Sequence, residues 1–359
     1  MTPAVDIAAL RSLPKISLHD HLDGGVRLTT LLELADQAGV PSPAPDEAKL
    51  ATWFSAKANS GSLVDYLETF QLSGAVLQSE HALERVAAEF VEDLAADGVV
   101  YGEVRWAPDQ HLQGGMTLQQ AVDAVQAGLN RGVAEARLRG HSIQAHQILC
   151  AMRNLDQSME IAQLALTNRD RGVVGFDIAG PEAGFPPSRH RAAFDLLAEN
   201  LFPVTVHAGE AAGVESIRSA LIDGRAIRIG HGVRLAQDIS RDGAKLLLGE
   251  TAAWVRDRHI GLEVSPSSNV QTGATQPWGE GMAAHPFAVL YKLGFLVTVN
   301  VDNRTVSNTS LTSELHRLSR AFDYDIADAA QFQINAAHAA FAPLHVQQQL
   351  AQVIRDAIV

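Results

Sequence analysis

Short β-branched apolar runs recur along this chain, separated by longer segments with a different rhythm. The runs are "KISLH", "VVYGEVRW", "SIQAHQILCAM", "GVVGFDIAG", "FPVTVHAG", "AIRIGHG", "GLEVSP" and "FLVTVNVD". Between them, stretches such as "SEHALERVAAEFVEDLAADG" and "TLQQAVDAVQAGLNRGVAEARLRG" space their apolar residues three and four apart, the period of an amphipathic helix. Strands alternating with helices predict a parallel sheet, and eight repeats are the count of a TIM (β/α)8 barrel. No linker or low-complexity tract interrupts the pattern, so residues 1–359 are expected to form one α/β barrel domain.

The placement of polar residues argues for closure more strongly than the count. His19 and His21 end the first strand, Gly180 the fourth, His207 and Glu210 the fifth, His231 the sixth, and Asp302 and Asn303 the eighth. In a closed barrel these C-terminal ends converge on one mouth, whereas an open sheet would scatter them along an edge. The gap after the first strand is far longer than the others and predicts a helical lid insertion over about residues 45–75, carrying Trp53, Phe54, Tyr66 and Phe70. Those aromatics suit either a flap that excludes water and holds an aromatic ligand, or simple packing of the insertion onto the barrel. After the eighth strand, "SNTSLTSELHRLSRAF" and two further segments read as extra C-terminal helices.

The stretch "KISLHDHLDGG" carries the first chemistry. Side chains alternate along a strand, so His19 and His21 share a face and Asp20 points away, which assigns Asp20 a structural role. With His207 and Asp302 at the same barrel end, the set offers three nitrogens and one oxygen. That set suits zinc with a coordination position left for water. The fourth strand, "VVGFDIAGPE", has no lysine to bridge two metals, so one Zn2+ per chain is expected. Zinc lowers the pKa of its water from about 16 toward about 7. Glu210 then stands where a proton donor is needed, with capping of the helix that begins near Ala212 as its plainer role. His231 suits a base or an orienter of that water, or a structural histidine of the mouth.

The composition narrows the partners. With 28 Lys and Arg against 41 Asp and Glu, the net charge of −13 repels a nucleic-acid backbone. The one cysteine, Cys150, forms neither an internal disulfide nor a cysteine-rich metal cage, so a metal must be held by histidine and carboxylate. No apolar run is long enough to cross a bilayer, and "MTPAVDIAALRSLPK" does not read as a secretion signal, so a cytoplasmic location is expected. Neither nucleic acid nor membrane is an expected partner; a small molecule is.

The motifs "LHDHLDG", "GFDIAGPE", "VHAGE", "IRIGHG", "LEVSPSSNVQTG" and "VNVDN", with "SLVDYLETF" in the insertion, occur in this order over almost the whole chain. In these the sequence resembles the adenosine deaminase family of purine deaminases. The resemblance implies that His19, His21, His207 and Asp302 bind zinc, that Glu210 protonates ring nitrogen 1, and that His231 steers hydroxide onto carbon 6. It also implies that Asp302 serves catalysis beside its role as ligand, and that Gly180 offers its backbone N–H to ring nitrogen 3. Asp23, with His21 beside it, would accept from the 5'-hydroxyl of ribose; its plainer role is to stabilise the turn at Gly24. The family commonly has two consecutive aspartates where this chain reads Asp302–Asn303, and threonine where it has Val301. The Asn303 amide can still donate to ring nitrogen 7 without any pKa shift.

The reading that follows is hydrolytic deamination of adenosine and 2'-deoxyadenosine, with release of ammonia. Its rivals are deamination of adenine or of a modified adenosine such as 6-aminodeoxyfutalosine, and a catalytically silent metal-bearing barrel. Family members acting on the free base tend to carry glutamate at the position of Asp23. AMP is disfavoured by the lack of a basic cluster near the motifs, and no ligand or proton donor is missing as a silent copy would require. The oligomeric state is not encoded in any of these patterns.

Overall fold

A computed structural model of the chain describes residues 5–60 and 66–358. The strands are β1 (Lys15–His21), β2 (Val99–Trp106), β3 (Gln144–Met152), β4 (Val173–Ala179), β5 (Thr205–Ala208), β6 (Arg228–His231), β7 (Ile239–Asp242), β8 (Lys245–Leu248), β9 (Gly261–Val264) and β10 (Val297–Val299). β1 to β4 pair in parallel in chain order, and β10, β9, β6 and β5 form a second parallel sheet. Two parallel bridges join the sheets into a ring, Phe176 with Val204 and Asp20 with Asp302. The second seam is made by the candidate site itself: the His21 N–H donates to the Asp302 carbonyl at 2.7 Å and the Asp302 N–H to the His19 carbonyl at 2.9 Å. The result is the closed eight-stranded barrel expected from the alternation.

The barrel strands are buried almost end to end because helices cover them outside and side chains fill them inside. Ile16, Leu18, Val104, Leu149, Phe176, Val206, Ile229, Leu262 and Val297 are fully buried. Charge is buried among them. Arg105 spans Asp177 and Glu263 at 2.7 and 2.6 Å, and Arg228 pairs with Glu103 at 2.5 Å and with Glu263. Each of these ions is matched by an opposite one, the condition under which burial of charge is tolerated.

One gap departs from the expected strand–helix rhythm. Between β6 and β9 the chain makes an antiparallel hairpin, β7 with β8, before the helix Glu250–Asp257. Gly243–Ala244 explains it: these are the two turn residues between Asp242 and Lys245, and Gly243 takes φ 58 at the first central position, where a type II′ hairpin turn favours glycine. The hairpin lies outside the ring and leaves the barrel count unchanged.

Between β1 and β2 run the helices Leu28–Ala38, Glu47–Ala58, Phe70–Val76 and Glu80–Ala96. Ser79 starts the last of these by accepting from the Ala82 N–H. Of the "SLVDYLETF" stretch, Ser62, Leu63, Val64 and Asp65 lie outside the described residues. Trp53 and Phe54 pack edge to face at 5.0 Å, Phe54 and Tyr66 are buried, and Phe70 faces the cavity described below. The expected C-terminal helices are Leu311–Phe322, Ile326–Ala339 and Leu344–Asp356. The second closes the barrel floor, where Gln333 accepts from the Ile16 N–H at 2.8 Å and Asn335 donates to the Val297 carbonyl at 2.9 Å.

Candidate active site

At the C-terminal mouth one ligand atom from each of His19, His21, His207 and Asp302 lies within 4.8 Å of all the others. The His21 and His207 Nε2 atoms are 3.2 Å apart, and the Asp302 Oδ1 is 3.2 Å from the His19 Nε2 and 3.4 Å from the His21 Nε2. Donors about 2.1 Å from a tetrahedral zinc stand about 3.4 Å from each other, so these edges fit the ion. The His19 Nε2 is buried and lacks a hydrogen-bond partner, an orphan that a cation would satisfy.

Buried carboxylates fix the rings from behind. The Glu263 Oε2 is 2.8 Å from the His19 Nδ1, and the Asp177 Oδ2 is 2.8 Å from the His207 Nδ1. Both contacts leave Nε2 facing the centre, the outer support found behind most metal-binding imidazoles. Burial opposes the charge on Glu263, yet Arg105 and Arg228 hold its carboxylate well below the usual range. Burial lowers the pKa of His21 and His207, which keeps these imidazoles neutral and able to ligate. For His19, burial and Arg105 are outweighed by the neighbouring Asp302 and Glu263 carboxylates, and its pKa is raised. Burial likewise opposes ionisation of Asp302, but His19, then His231 and His21, hold it well below the usual range. Ser268 donates to its Oδ2 at 2.6 Å.

Asp302 and His231 both have positive φ, 62 for each, a conformation that non-glycine residues rarely adopt and that concentrates at functional sites. His231 is set by Asn269. The Ser265 N–H donates to the Asn269 Oδ1 at 3.2 Å, which turns the amide nitrogen toward the His231 Nδ1 at 3.0 Å. Burial holds His231 well below its ordinary pKa. The neutral ring therefore carries its proton on Nε2, which faces the Glu210 Oε2 at 3.6 Å. Burial first, then the charges of Asp302 and Glu182, push the Glu210 carboxyl up to about 8, so it holds a proton at neutral pH.

Beside this centre lies a cavity of about 460 Å³, lined among others by His21, Asp23, Phe70, Met152 and Gly180. Its described lining contains no lysine or arginine. Gly180 takes φ +99, and a Cβ there would come 3.0 Å from the Met152 methyl, so only glycine fits without strain. The Asp23 Oδ1 has no partner, and burial raises its carboxyl to about 6. Asn303 is placed differently. It is absent from that lining, its amide nitrogen donates to the Tyr66 hydroxyl at 3.0 Å, and its Oδ1 packs against Gly24, where a Cβ would overlap it at 1.9 Å. Asp20, as expected, faces away, paired with Arg304 at 2.9 Å.

The structure brings Asp177, Glu182, Glu263, Arg105, Ser268 and Asn269 into the site's support, none of which sequence reasoning selected. The available signal was a charge inside an otherwise apolar strand, as in "GFDIAG", "GLEVS" and "GEVRW". Glu210 does not cap the following helix Val214–Ile222; the N–H groups of residues 209–212 donate instead to Glu182.

A sequence profile described as adenosine deaminase matches residues 14–357. The adenosine deaminase of Mycobacteroides abscessus is 48% identical over 361 residues, covering 100% of this chain and 98% of the relative. The apo structure of the N6-methyl-AMP deaminase from Arabidopsis thaliana superposes with a TM-score of 0.81 at 28% identity, over 98% of this chain and 99% of that one. An amidohydrolase from Burkholderia ambifaria, with bound Zn, shares the fold with a TM-score of 0.84 at 24% identity, over 98% of this chain and 93% of that one. A match reaching from residue 14 to residue 357, and a relative 48% identical along its full length, lead to one conclusion: this chain belongs to the adenosine deaminase family.

Proposed function

We propose that the chain hydrolyses adenosine and 2'-deoxyadenosine to inosine and 2'-deoxyinosine, releasing ammonia, with one zinc ion held by His19, His21, His207 and Asp302. The observation that carries this reading is Glu210: a carboxyl pushed up to about 8 stands 3.6 Å from a neutral imidazole, beside a cluster of four metal-ligand donors. A protonated acid next to an activated water is what hydrolytic deamination of an aromatic amidine needs. A divalent cation bound there supplies Lewis acidity, lowering the pKa of water from about 16 toward about 7.

The chain's own residues do the rest. Glu210 gives its proton to ring nitrogen 1 as carbon 6 becomes tetrahedral, which removes the aromatic barrier to attack. His231 presents its Nε2–H to the incoming oxygen, so the Asn269 contact makes it an orienter rather than a base in this tautomer. Asp302, pinned by Ser268, accepts from the water and aligns it. The proton released by the water passes to the Glu210 carboxylate, emptied by ring nitrogen 1, and on to the departing amine; the hydroxyl proton left on carbon 6 then restores the Glu210 acid. The carbon–nitrogen bond then breaks, giving ammonia and a purine with oxygen at carbon 6.

The substrate class follows from the cavity. Its volume of about 460 Å³ exceeds what a free purine fills, and the unpartnered Asp23 oxygen offers an acceptor for a ribose hydroxyl, with His21 beside it. Gly180 offers its N–H to ring nitrogen 3, and Asn303 donates to ring nitrogen 7 by its second N–H, the first being held by Tyr66. With no cation in the described lining, a 5'-phosphate has no partner and AMP is rejected. In this reading the insertion over about residues 45–75, of which 61–65 lie outside the described residues, is the lid of a single barrel domain, 1–359. No helix among the described residues is long and apolar enough to cross a membrane, and we place the activity in the cytoplasm, without nucleic acid or membrane.

The test is loss of adenosine absorbance by the purified protein, before and after chelation and after return of Zn2+. Adenosine, 2'-deoxyadenosine, adenine, 6-aminodeoxyfutalosine and AMP are compared in parallel. Turnover of the nucleosides that vanishes with chelator and returns with zinc is expected. A preference for adenine or AMP, or turnover indifferent to chelation, overturns the reading.

A further inference from the structure

Glu182 stands two residues beyond Gly180, just past the end of β4, and is 4% exposed. Its carboxylate accepts five hydrogen bonds. The Oε1 takes the Gly209 N–H at 2.7 Å and the Ser216 hydroxyl at 2.5 Å; the Oε2 takes the N–H groups of Glu210 at 3.0 Å, Ala211 at 2.6 Å and Ala212 at 2.8 Å. Four consecutive backbone donors are thus gathered on one side chain from a different strand. The segment they belong to is the turn that carries Glu210 from the metal-ligating end of β5 toward the cavity.

We infer that Glu182 is the positioning residue for the proton donor, fixing the 209–212 turn in the one conformation that aims the Glu210 carboxyl at the site. The inference rests on the reading of Glu210 as the acid. The physical reason is satisfaction of buried and half-buried donors: four N–H groups in succession have no other acceptor among the described residues, so any other turn conformation gives up some of these bonds. Gly209, with φ +76, supplies the bend that points all four the same way. Arg153 holds the two ends of the arrangement together, donating to the Phe185 carbonyl at 2.9 Å and to the His207 carbonyl at 2.8 Å. Glu182 is neither one of the ligand donors nor part of the cavity lining; apart from its charge, which helps raise the Glu210 carboxyl, it reaches the site through the turn.

A plainer role competes. The helix Val214–Ile222 has Gly213 at its N-cap with no side-chain cap, and a carboxylate near a helix N-terminus stabilises the helix whether or not it serves catalysis. The two roles separate in kinetics. Displacement of a catalytic group by about 1 Å costs on the order of 10²-fold in rate, whereas a lost helix cap costs stability alone.

The experiment uses the zinc-loaded enzyme with adenosine. Glu182→Gln keeps the size of the side chain but sets an NH2 against the backbone donors. It is expected to lower kcat by about 10- to 100-fold, with zinc content unchanged and KM within about threefold. Placed in a Glu210→Gln background it is expected to lower kcat by less than about threefold more, because two residues acting through one group are not additive. Ser216→Ala, which removes the helix-side bond and leaves the turn's four, is expected to change kcat by less than about twofold. If Glu182→Gln does not fold, Glu182→Asp carries the same comparison, since a shortened carboxylate cannot span all four donors. A lowered melting temperature with normal kcat, or a full additional loss in the Glu210→Gln background, overturns the inference. Normal turnover by Glu210→Gln alone would instead overturn the acid role and leave Glu182 a helix cap.

Discussion

Asp177 grips His207 at two points. Its Oδ1 accepts from the His207 backbone N–H at 3.2 Å, and its Oδ2 stands 2.8 Å from the ring Nδ1. Burial works against this carboxylate, yet the adjoining His207 ring and the Arg105 guanidinium hold it at about 2, so it stays ionised over the whole working pH range. Asp177→Asn removes the charge and half of the grip. The expected outcome is metal affinity reduced about 10- to 100-fold, as for other outer supports of ligating imidazoles, measured by competition with a chelator. Unchanged affinity would mean that the strand backbone alone orients His207.

For Glu210 the charge state is the prediction. Its carboxyl is raised to about 8 in the fold, so the proton-donating form prevails below that pH and kcat/KM falls as pH rises through it. A bound cation favours the carboxylate and moves the falling limb to lower pH, so the limb lies at or below about pH 8 in the loaded enzyme. The same shift carries a sign for stability: a carboxyl that binds its proton more tightly folded than unfolded contributes stability fully below the unfolded value, and loses it as pH rises toward the folded one. Glu210→Gln is expected to retain zinc and lose about 10² to 10⁴ in kcat, together with the alkaline limb. A pH profile identical to the wild type in that variant would remove Glu210 from the mechanism.

Gly180→Ala tests the approach of substrate to the strand end. The added methyl would sit in a φ of +99 and 3.0 Å from the Met152 methyl, a strain of about 1–3 kcal/mol at the edge of the cavity. KM for adenosine should rise about tenfold or more with metal content unchanged. A KM equal to wild type would show that the base does not approach this backbone.

Tyr66 ties the insertion after β1 to the turn after β10. Its hydroxyl is 2.9 Å from the Ser307 Oγ and accepts from the Asn303 amide at 3.0 Å. Tyr66→Phe leaves that amide unheld and removes hydrogen bonds each worth about 1 kcal/mol. KM for adenosine is expected to rise roughly fivefold with a smaller change in kcat, the sign of a binding contact rather than a chemical one. Equal effects on kcat and KM would place Asn303 in the transition state instead.

The barrel was legible because its evidence is local: apolar runs of strand length alternate with helical periods, and each candidate site residue sits at a run's end. His19 and His21 declared themselves by the two-residue period that puts them on one face, and His207 and Asp302 by the same position on other strands. The β7–β8 hairpin is not legible because Gly243–Ala244 is a two-residue signal inside a segment otherwise read for helix. What linear order could not supply is which buried acid serves which partner. Asp177 and Glu263 lie inside their strands and Glu182 just past one, and their roles depend on distances between segments far apart in sequence. Folding brings Glu182 onto the turn of residues 209–212, and Glu263 onto His19 across the barrel. Periodicity is a property of neighbours along the chain and survives without a fold; hydrogen bonds and charge pairing in a low-dielectric interior exist only once closure has placed their partners within about 3 Å.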